Sequence, residues 1–399
     1  MSFQIKFAFV VIVIIVAALI AGFFGIQFLS EEKALTSQSE HPADESASAD
    51  EDIPFSRFEV EVIAENLEAP WDLDFWEDRI FVTERAGRIR VIENGEFLPD
   101  PYFILDVYTG GQETGLLGIA LHPDFSRNRF VYIYYTYVGE DGLVWNRVLK
   151  LVDRGDYAEI SEVILDGIPG TSIHNGGRMK FGPDEKLYIT TGDAGREHLV
   201  QDLNSLAGKI LRINPDGTVP EDNPFPDSPV WSYGHRNPQG LAWSPTGDLW
   251  ATEHGPDPND MRGRGPGRDE VNLIKPGANY GWPEVAGKAG EPEYVDPILS
   301  SGEKPWAPSG ASFWRGELYF TALGFTPGEG RRALHRVTFD SDYRSVKEHD
   351  FLLENEFGRL RTAEPGPDGN LYILTSNRDG RGDPATEDDR IIRLKPKNN

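Results

Sequence analysis

The stretch Pro183-Asp-Glu-Lys-Leu-Tyr-Ile-Thr-Thr-Gly192 decides the fold of this chain, because the same pattern returns along the sequence. A Pro-Asp turn leads into a short run rich in β-branched and aromatic residues, which is the composition of a β-strand. Such runs occur at residues 79–85, 130–136, 186–192, 248–254, 317–323 and 370–376. Self-similarity at a regular spacing is the signature of a repeat architecture.

Each repeat contains more than one strand. Most of the central runs follow a turn that begins with proline, as at Pro123, Pro183, Pro245 and Pro367. Further apolar runs lie before the turn, as at 115–121 and 240–243, or after the central run, as at 209–213 and 390–394. Strand, turn, strand, loop and strand make a meander, and the interval of roughly 50–70 residues leaves room for long loops.

The repeats predict an all-β fold, a six-bladed β-propeller of four-stranded antiparallel blades at residues 55–399. Blades arranged radially protect their strand edges because the ring closes on itself. The alternating segment Phe58-Glu-Val-Glu-Val-Ile63 is expected to be the outer strand of the last blade, joining the two ends of the domain. A β-sandwich or a pair of domains is the alternative, but six similar units follow one another without a break in composition.

The N-terminus indicates where the domain is located. Residues 7–29 are almost wholly apolar and uncharged, which is long enough to cross a hydrocarbon core of about 30 Å. Lys6 precedes them and Glu31 and Glu32 follow, so the N-terminus is expected in the cytoplasm. We predict a transmembrane anchor at 1–29, an acidic disordered linker at 30–54, and an extracytoplasmic domain at the cell membrane. A cleaved signal peptide and a secreted protein remain the alternative.

Composition excludes several kinds of partner and site. The chain has 65 acidic and 39 basic residues, a formal net charge of −26, and this charge repels nucleic acid and anionic lipid surfaces. We therefore expect membrane contact only through the N-terminal helix. With no cysteine, the chain has no disulfide, thiolate metal site or cysteine nucleophile. A dinucleotide-binding glycine motif after a strand is also missing, so nothing supports a nicotinamide cofactor in a Rossmann fold.

Two polar segments are candidates for acid–base and anion chemistry. His174 lies in Ser-Ile-His-Asn-Gly-Gly-Arg178, and Asp193 follows the next predicted strand. On the same rim of the propeller channel, Asp193 could orient His174 as a general base, although a single histidine is more often structural. Arg236, in Trp231-Ser-Tyr-Gly-His-Arg-Asn237, suits a ligand with carboxylate or carbonyl groups. Arg236 could equally tie two loops together.

A third segment offers hard oxygen ligands of the kind that Ca²⁺ prefers. It runs from Glu253-His-Gly-Pro256 to Asp269-Glu270 and then Asn279-Tyr280. Acidic pairs in loops are more often simply solvated, so this prediction keeps an alternative. The sequence contains neither an EF-hand nor a His-Glu-x-x-His motif.

Together these segments resemble the soluble aldose sugar dehydrogenases that use pyrroloquinoline quinone (PQQ), the glucose/sorbosone dehydrogenase family. The resemblance extends from about residue 60 to the C-terminus and is specific as an ordered set. The motifs that carry it are Gly115-Leu-Leu-Gly118, His122-Pro-Asp-Phe125, His174-Asn-Gly-Gly-Arg178, Gly208-Lys-Ile-Leu-Arg212, Gly234-His-Arg-Asn-Pro-Gln-Gly240, Glu253-His-Gly-Pro256, Asp269-Glu-Val-Asn272, Asn279-Tyr-Gly-Trp-Pro283 and Arg359-Leu-Arg361.

The resemblance implies an enzyme that oxidises the C1 hydroxyl of aldoses to lactones with PQQ and passes electrons to an external quinone or cytochrome-type acceptor. It implies that His174 is the base, that Asp193 orients it, and that Arg236 stabilises charge on the cofactor. The other cofactor contacts that it implies are Glu113, His198, Asn237, His254, Arg359 and Arg361. It places the backbone carbonyls of Gly255 and Pro256 on a Ca²⁺ that polarises PQQ, and Glu270 and Tyr280 on a structural Ca²⁺.

The sequence departs from the family pattern at a few of these positions. Glu113, His198 and His254 stand where glutamine often occurs, and Gly324 stands where a lysine or arginine usually reaches the cofactor. Arg331 or Arg332 would have to replace that charge from a longer loop. These departures leave open a non-catalytic propeller of the same family that binds a carbohydrate or a partner protein. A hydrolytic propeller of the lactonase kind would need metal ligands in the channel, and the sequence offers no better set for it.

Overall fold

The structure, a computed structural model, describes residues 58–256 and 267–397, and these residues form six separate antiparallel β-sheets. The predicted anchor at 1–29 and linker at 30–54 lie outside the described residues. Within the described part of the chain, no helix is both long enough and apolar enough to cross a membrane.

The first three blades follow one another along the chain. They are preceded by β1 (Phe58–Ala64), which belongs to the last blade. Blade 1 contains β2 (Pro70–Trp76), β3 (Arg79–Glu84), β4 (Arg88–Glu93), β5 (Glu96–Phe97) and β6 (Phe103–Ile104), and blade 2 contains β7 (Leu116–Leu121), β8 (Phe130–Val138), β9 (Val144–Asp153) and β10 (Ala158–Pro169). Blade 3 contains β11 (Met179–Phe181), β12 (Leu187–Thr191), β13 (Lys209–Ile213) and β14 (Val230–Tyr233). A short helix α1 (Phe125–Asn128) joins β7 to β8, and a 3₁₀ turn (Glu197–Leu199) lies between β12 and β13.

The last three blades repeat this order. Their strands are β15 (Pro238–Trp243), β16 (Leu249–Glu253), β17 (Glu270–Ile274) and β18 (Leu299–Ser300) in blade 4, β19 (Pro308–Trp314), β20 (Glu317–Ala322), β21 (Leu334–Phe339) and β22 (Val346–Leu352) in blade 5, and β23 (Leu360–Pro365), β24 (Leu371–Thr375) and β25 (Ile391–Pro396) in blade 6. Each of the six repeated runs seen in the sequence forms the second strand of its blade, so the predicted six-bladed propeller is confirmed.

The first strand closes the ring. The sheet of blade 6 has the order β1-β25-β24-β23, with Phe58 opposite Pro396 and Val62 opposite Ile392. The N-terminal strand is therefore the outer strand of the last blade, as its alternating pattern predicts. This closure joins the two ends of the domain in one hydrogen-bonded sheet and leaves only the short edges that are ordinary for propeller blades.

The turns between the first and second strands of blades 3, 4 and 6 share one hydrogen-bond geometry. In blade 3 the Gly182 amide donates to the Lys186 carbonyl at 2.9 Å, and in blade 6 Gly366 donates to Asn370 at 2.8 Å. Proline at the next position presets the backbone torsion of the turn in both. The repeated turn places equivalent strands in register, so equivalent loops emerge at the same end of each blade.

Apolar layers between neighbouring blades hold the ring together. One layer joins Leu117 and Tyr134 of blade 2 to Met179 and Leu211 of blade 3, all of them buried. The hydroxyl of Tyr134 donates to the Asn175 carbonyl at 2.9 Å. The same packing that stabilises the blades therefore fixes the loop that carries His174.

Candidate active site

Loops from several blades converge at one end of the propeller axis. Because consecutive strands run in opposite directions, the connection into the first strand of a blade and the connection after its second strand emerge at the same face. His174 precedes β11, Asp193 follows β12, and Arg236 precedes β15. The fold thus brings together residues that are distant in sequence.

His174 and Asp193 form a buried dyad. Nδ1 of His174 lies 2.8 Å from Oδ1 of Asp193, and the two side chains are 10% and 1% exposed. The Trp282 indole donates to the other oxygen of Asp193 at 2.9 Å, and the Gly195 amide donates to Oδ1 at 2.7 Å. The predicted contact between the two residues is confirmed.

The charge of Asp193 fixes the tautomer of its partner. Burial alone would raise the pKa of Asp193, but the hydrogen bond to His174 and the nearby charges of His174 and Arg236 lower it below its ordinary value. An ionised carboxylate can only accept hydrogen bonds, so Nδ1 of His174 is the donor. In neutral His174 the lone pair therefore lies on Nε2, as general-base catalysis requires.

Arg236 lies beside this dyad. Its guanidinium carbon is 5.5 Å from the centre of the Trp282 ring, and its carbonyl accepts the Asp193 amide at 2.7 Å. The Arg236 amide donates to the Glu253 carboxylate. The backbone of Arg236 thus ties the loops together, while its guanidinium adds positive charge next to Asp193.

Glu113 and Asn237 hold the loop that carries the histidine. One oxygen of Glu113 accepts the His174 amide at 2.7 Å and the Asn237 amide group at 3.3 Å. Asn237 in turn accepts the Gly176 amide at 3.1 Å. Burial opposes ionisation of Glu113, but the charges of His174 and Arg381 lower its pKa well below the ordinary value, so the side chain is a carboxylate.

Arg381 is a site residue that the sequence did not reveal. Its guanidinium lies 2.9 Å from the second oxygen of Glu113, and it donates to the Gln112 side chain at 2.7 Å. It belongs to the loop Asn377-Arg-Asp-Gly-Arg-Gly-Asp383, between β24 and β25. The many charged residues and glycines in this loop are the sequence feature that could have indicated a site residue here.

The two predicted arginines of blade 6 differ in their partners. Arg359 donates to Asp379 at 2.8 Å and to the carbonyls of Leu323 and Gly324. Arg361 makes only long contacts, 3.4 Å to Gln239 and 3.5 Å to Asp379, and its buried Nε has no partner. Arg361 therefore retains a donor for a ligand, whereas Arg359 is held by the protein.

Burial lowers the pKa of Arg361 to about 9, with Asp379 opposing that shift and neighbouring arginines adding to it. Asp379, another residue missed by sequence reasoning, is the buried counter-ion of this pair. A bound anion would further offset the crowding of positive charge here.

Gly324 cannot carry the missing positive side chain. A Cβ there would lie 2.4 Å from the Arg331 carbonyl oxygen, too close for any other residue. The Arg332 guanidinium donates to the carbonyls of Gly324 at 3.2 Å and Phe325 at 2.8 Å, and Arg331 donates to Thr326 at 2.8 Å. Both candidate substitutes therefore bond to their own loop.

The two histidines predicted as cofactor contacts have different surroundings. Nε2 of His254 is buried and has no hydrogen-bond partner, and burial lowers the pKa of this histidine to about 4. His254 is therefore neutral, with a buried ring nitrogen that a ligand could satisfy. His198 lies exposed on the 3₁₀ turn.

The four predicted calcium residues line one small cavity. Gly255, Pro256, Glu270 and Tyr280 lie around it together with Glu253. Glu253 and Glu270 are opposite each other on β16 and β17, and burial and then the charge of Glu253 raise the pKa of Glu270 to about 8. A cation would offset this repulsion.

The donors for such a cation would be mostly carbonyl oxygens. The Tyr280 hydroxyl donates to the Leu273 carbonyl at 2.7 Å and accepts the Lys275 amide at 2.9 Å, which leaves the main-chain carbonyl of Tyr280. Across the described ranges, no cluster of three or more histidine, aspartate or glutamate side chains has metal-binding spacing. Backbone carbonyls are ordinary ligands of Ca²⁺.

Comparison with known proteins identifies a family and several relatives that are similar to this chain. The family model described as Glucose / Sorbosone dehydrogenase matches residues 67–392. The aldose sugar dehydrogenase YliI of Escherichia coli (strain K12) is 31% identical over 372 residues, which are 85% of this chain and 93% of that protein. Quinoprotein glucose dehydrogenase B of Acinetobacter calcoaceticus is 34% identical over 274 residues, covering 60% and 55% of the two chains.

A solved structure shares both fold and sequence with this chain. The PQQ-bound form of the aldose sugar dehydrogenase from Streptomyces coelicolor superposes with a TM-score of 0.75 at 37% identity, and the match covers 86% of this chain and 100% of that one. The family match covers most of the propeller. The chain belongs to the glucose/sorbosone dehydrogenase family, which makes it an oxidoreductase that acts on sugars.

Proposed function

We propose that this chain is a PQQ-dependent dehydrogenase that oxidises aldoses at the C1 hydroxyl to lactones. The observation that carries the proposal is the buried pair of His174 and Asp193, 2.8 Å apart, with Arg236 beside it. General-base removal of a hydroxyl proton requires a neutral imidazole whose orientation is fixed. Relatives named as aldose sugar and quinoprotein glucose dehydrogenases support the substrate class.

The chemistry of the donors fits PQQ, a planar quinone with several carboxylates. Buried Nε atoms of Arg361 and His254 have no partner in the protein. A buried polar atom without a partner costs roughly 1–3 kcal/mol, so a ligand that satisfies both gains that free energy. Arg236, Asn237, Arg361 and His254 are the side chains that would hold the cofactor. A PQQ-bound relative supports the choice of PQQ as that cofactor.

The residues divide the reaction among them. Nε2 of His174 takes the proton of the C1 hydroxyl, and ionised Asp193 stabilises the imidazolium that results. The positive charge of Arg236 stabilises negative charge that develops on the acceptor. Bound PQQ would supply the two-electron acceptor for the hydride that leaves C1. This assignment conserves atoms, because the sugar loses one proton and one hydride.

Calcium and cellular location belong to the same proposal. Carbonyls of Gly255 and Pro256 would bind a Ca²⁺ that acts on the cofactor as a Lewis acid. Glu270 and Tyr280, predicted to bind a second, structural Ca²⁺, line the same small cavity and would bind the same ion. Residues 1–29 would anchor the domain to the cell membrane on its extracytoplasmic side, with 30–54 as a linker. A quinone or cytochrome-type acceptor would then collect the electrons.

Reconstitution tests the proposal. The purified chain is incubated with PQQ and Ca²⁺, and reduction of an electron-accepting dye is followed with a panel of aldoses. We expect dye reduction that requires both PQQ and sugar, and a lactone as product. No activity with any aldose, although PQQ binds, would reject the enzymatic assignment.

Gly324 favours a second candidate, a non-catalytic propeller that binds a carbohydrate or a partner. The family's cationic position in this loop is occupied by Gly324, and Arg331 and Arg332, which could replace that charge, are bonded to their own loop. An absorbance titration with PQQ separates the two candidates. Tight glycan binding without PQQ binding would favour the second one.

A further inference from the structure

Arg381 and Glu113 join the last blade to the loop of the catalytic base. Arg381 follows β24 in blade 6, whereas Glu113 precedes β7 in blade 2. The 2.9 Å ion pair therefore spans 268 residues of sequence. The two side chains are 17% and 18% exposed, so water screens the pair only weakly.

The oxygen of Glu113 that faces away from Arg381 holds the backbone of His174. It accepts the His174 amide at 2.7 Å. His174 has a backbone φ of 54°, in the left-handed region that costs a residue other than glycine roughly 1–2 kcal/mol. Such a conformation persists only where its surroundings impose it. Glu113 is one of the groups that impose it.

Arg381 is one of the cationic groups that stabilise the carboxylate charge of Glu113. Charged neighbours, Arg381 among them, keep Glu113 ionised although it is buried. A buried carboxylate that loses a cation partner either takes up a proton or moves toward water. Either change weakens the hydrogen bond that orients His174.

We propose that Arg381 is a positioning residue, which holds Glu113 as an ionised acceptor and thereby fixes the backbone of His174. The proposal rests on the proposed function, in which His174 is the base. Arg381 acts through Glu113 and not on the reacting atoms. Its guanidinium also lies 5.6 Å from the centre of the Phe325 ring, which limits its own movement.

Three variants of the full chain test the proposal: Arg381→Gln, Glu113→Gln and the double variant. Hydrogen exchange of the His174 amide is measured by mass spectrometry without cofactor. We expect Arg381→Gln to speed exchange by about fivefold or more, because the hydrogen bond from Glu113 weakens. Glu113→Gln should have a small effect, since the amide oxygen still accepts the bond. The double variant should return close to the exchange rate of Glu113→Gln.

The double variant separates positioning through charge from a simple mechanical role. If Arg381 only held its loop in place, the double variant would remain as impaired as Arg381→Gln, and the proposal would be overturned. Unchanged exchange in Arg381→Gln would overturn it too. In active preparations, kcat should fall about tenfold in Arg381→Gln with little change in the sugar KM.

Arg378→Gln is the matched control. Arg378 lies in the same loop and donates to the carbonyls of Asp388 at 2.6 Å and Thr386 at 3.0 Å. The variant should lower thermal stability without changing His174 exchange; faster exchange here would assign the effect to the loop and not to charge. Because amide exchange is measured without PQQ, it tests the positioning role of Arg381 even if the protein shows no sugar oxidation. Absence of activity would reject the proposed function, whereas unchanged exchange in Arg381→Gln would reject the positioning role.

Discussion

The position of His174 depends on glycines around it. The following Gly176 and Gly177 have φ values of 62° and 100°. A Cβ on Gly192 would lie 1.9 Å from the His174 carbonyl oxygen. Only glycine there permits the end of β12 to approach the histidine loop closely enough for Asp193 to reach Nδ1. The contact between His174 and Asp193 therefore depends on glycines that carry no functional side chain.

His174→Asn should abolish turnover while sparing cofactor binding. Asparagine tolerates the left-handed backbone at this position but cannot serve as the base, and general-base catalysis contributes about 10²–10⁴-fold. We expect kcat to fall by at least about 100-fold with a PQQ dissociation constant close to that of the wild type. Steady-state kinetics and an absorbance titration measure the two quantities, and unchanged turnover would remove His174 from its role.

Asp193→Asn is the companion to this change. The amide keeps the shape of the carboxylate but can present a donor to Nδ1, which favours the wrong tautomer of His174. The double variant with His174→Asn should be no slower than His174→Asn alone, because residues that act as one unit are not additive. A further loss in the double variant would show that Asp193 acts separately.

Among the elements, β1 has a special place because it pairs the two ends of the domain. Phe58 lies 5.6 Å from the Trp314 ring, and Phe58 and Val60 pack against the core shared by blades 5 and 6. Glu59, on the opposite face of the strand, is exposed. The first half of β1 therefore has one face that packs against the core of the ring and one face in water, whereas farther along Val62 is exposed and Ile63 packs inward.

Val60→Asp should destabilise the propeller. The carboxylate would be placed against an apolar core, at a cost of about 2 kcal/mol or more. A urea titration should show a lower unfolding midpoint. Glu59→Lys is the control on the exposed face of the same strand and should change stability by less than about 0.5 kcal/mol. Equal effects of the two substitutions would contradict closure by β1.

At the scale of the whole molecule, an acidic protein encloses an arginine-rich centre. The net charge is −26, yet buried arginines surround the site: Arg178, Arg236, Arg359 and Arg361. Buried Asp72 and Asp379 are ion-paired with members of this set. The site of this acidic chain therefore contains several buried guanidinium groups, which suit a ligand that carries negative charge.

Added Ca²⁺ should raise the melting temperature of the cofactor-free protein. Binding only to the folded state at a hundredfold excess over Kd adds about 2.7 kcal/mol, or about 4 °C for a domain of this size. The Glu270→Gln variant should show a smaller rise, since it lacks the carboxylate proposed as a ligand. Equal rises in both proteins, measured by scanning calorimetry after chelation, would exclude Glu270 from the calcium site.

The full chain should sediment with membranes and resist extraction by salt. A version beginning at residue 55 should stay in solution, because it lacks the predicted anchor at residues 1–29. Fractionation followed by N-terminal sequencing checks both expectations. A mature chain that begins after residue 29 in the medium would establish the signal-peptide alternative.

The amino-acid sequence was sufficient to predict the number of blades, the strand that closes the ring, and the candidates His174, Asp193 and Arg236. These features are local: turns, alternation and short motifs follow from the conformational preferences of neighbouring residues. Tertiary structure decided that Glu113 has Arg381 as its counter-ion, that Asp379 holds Arg359, and that no side chain fits at Gly324. The Glu113–Arg381 pair joins residues 268 positions apart, so nothing in the local sequence indicates it. The Arg359–Asp379 pair lies within blade 6, and Gly324 lies against Arg331 of its own loop, but both contacts depend on how long loops fold and not on a repeated local pattern.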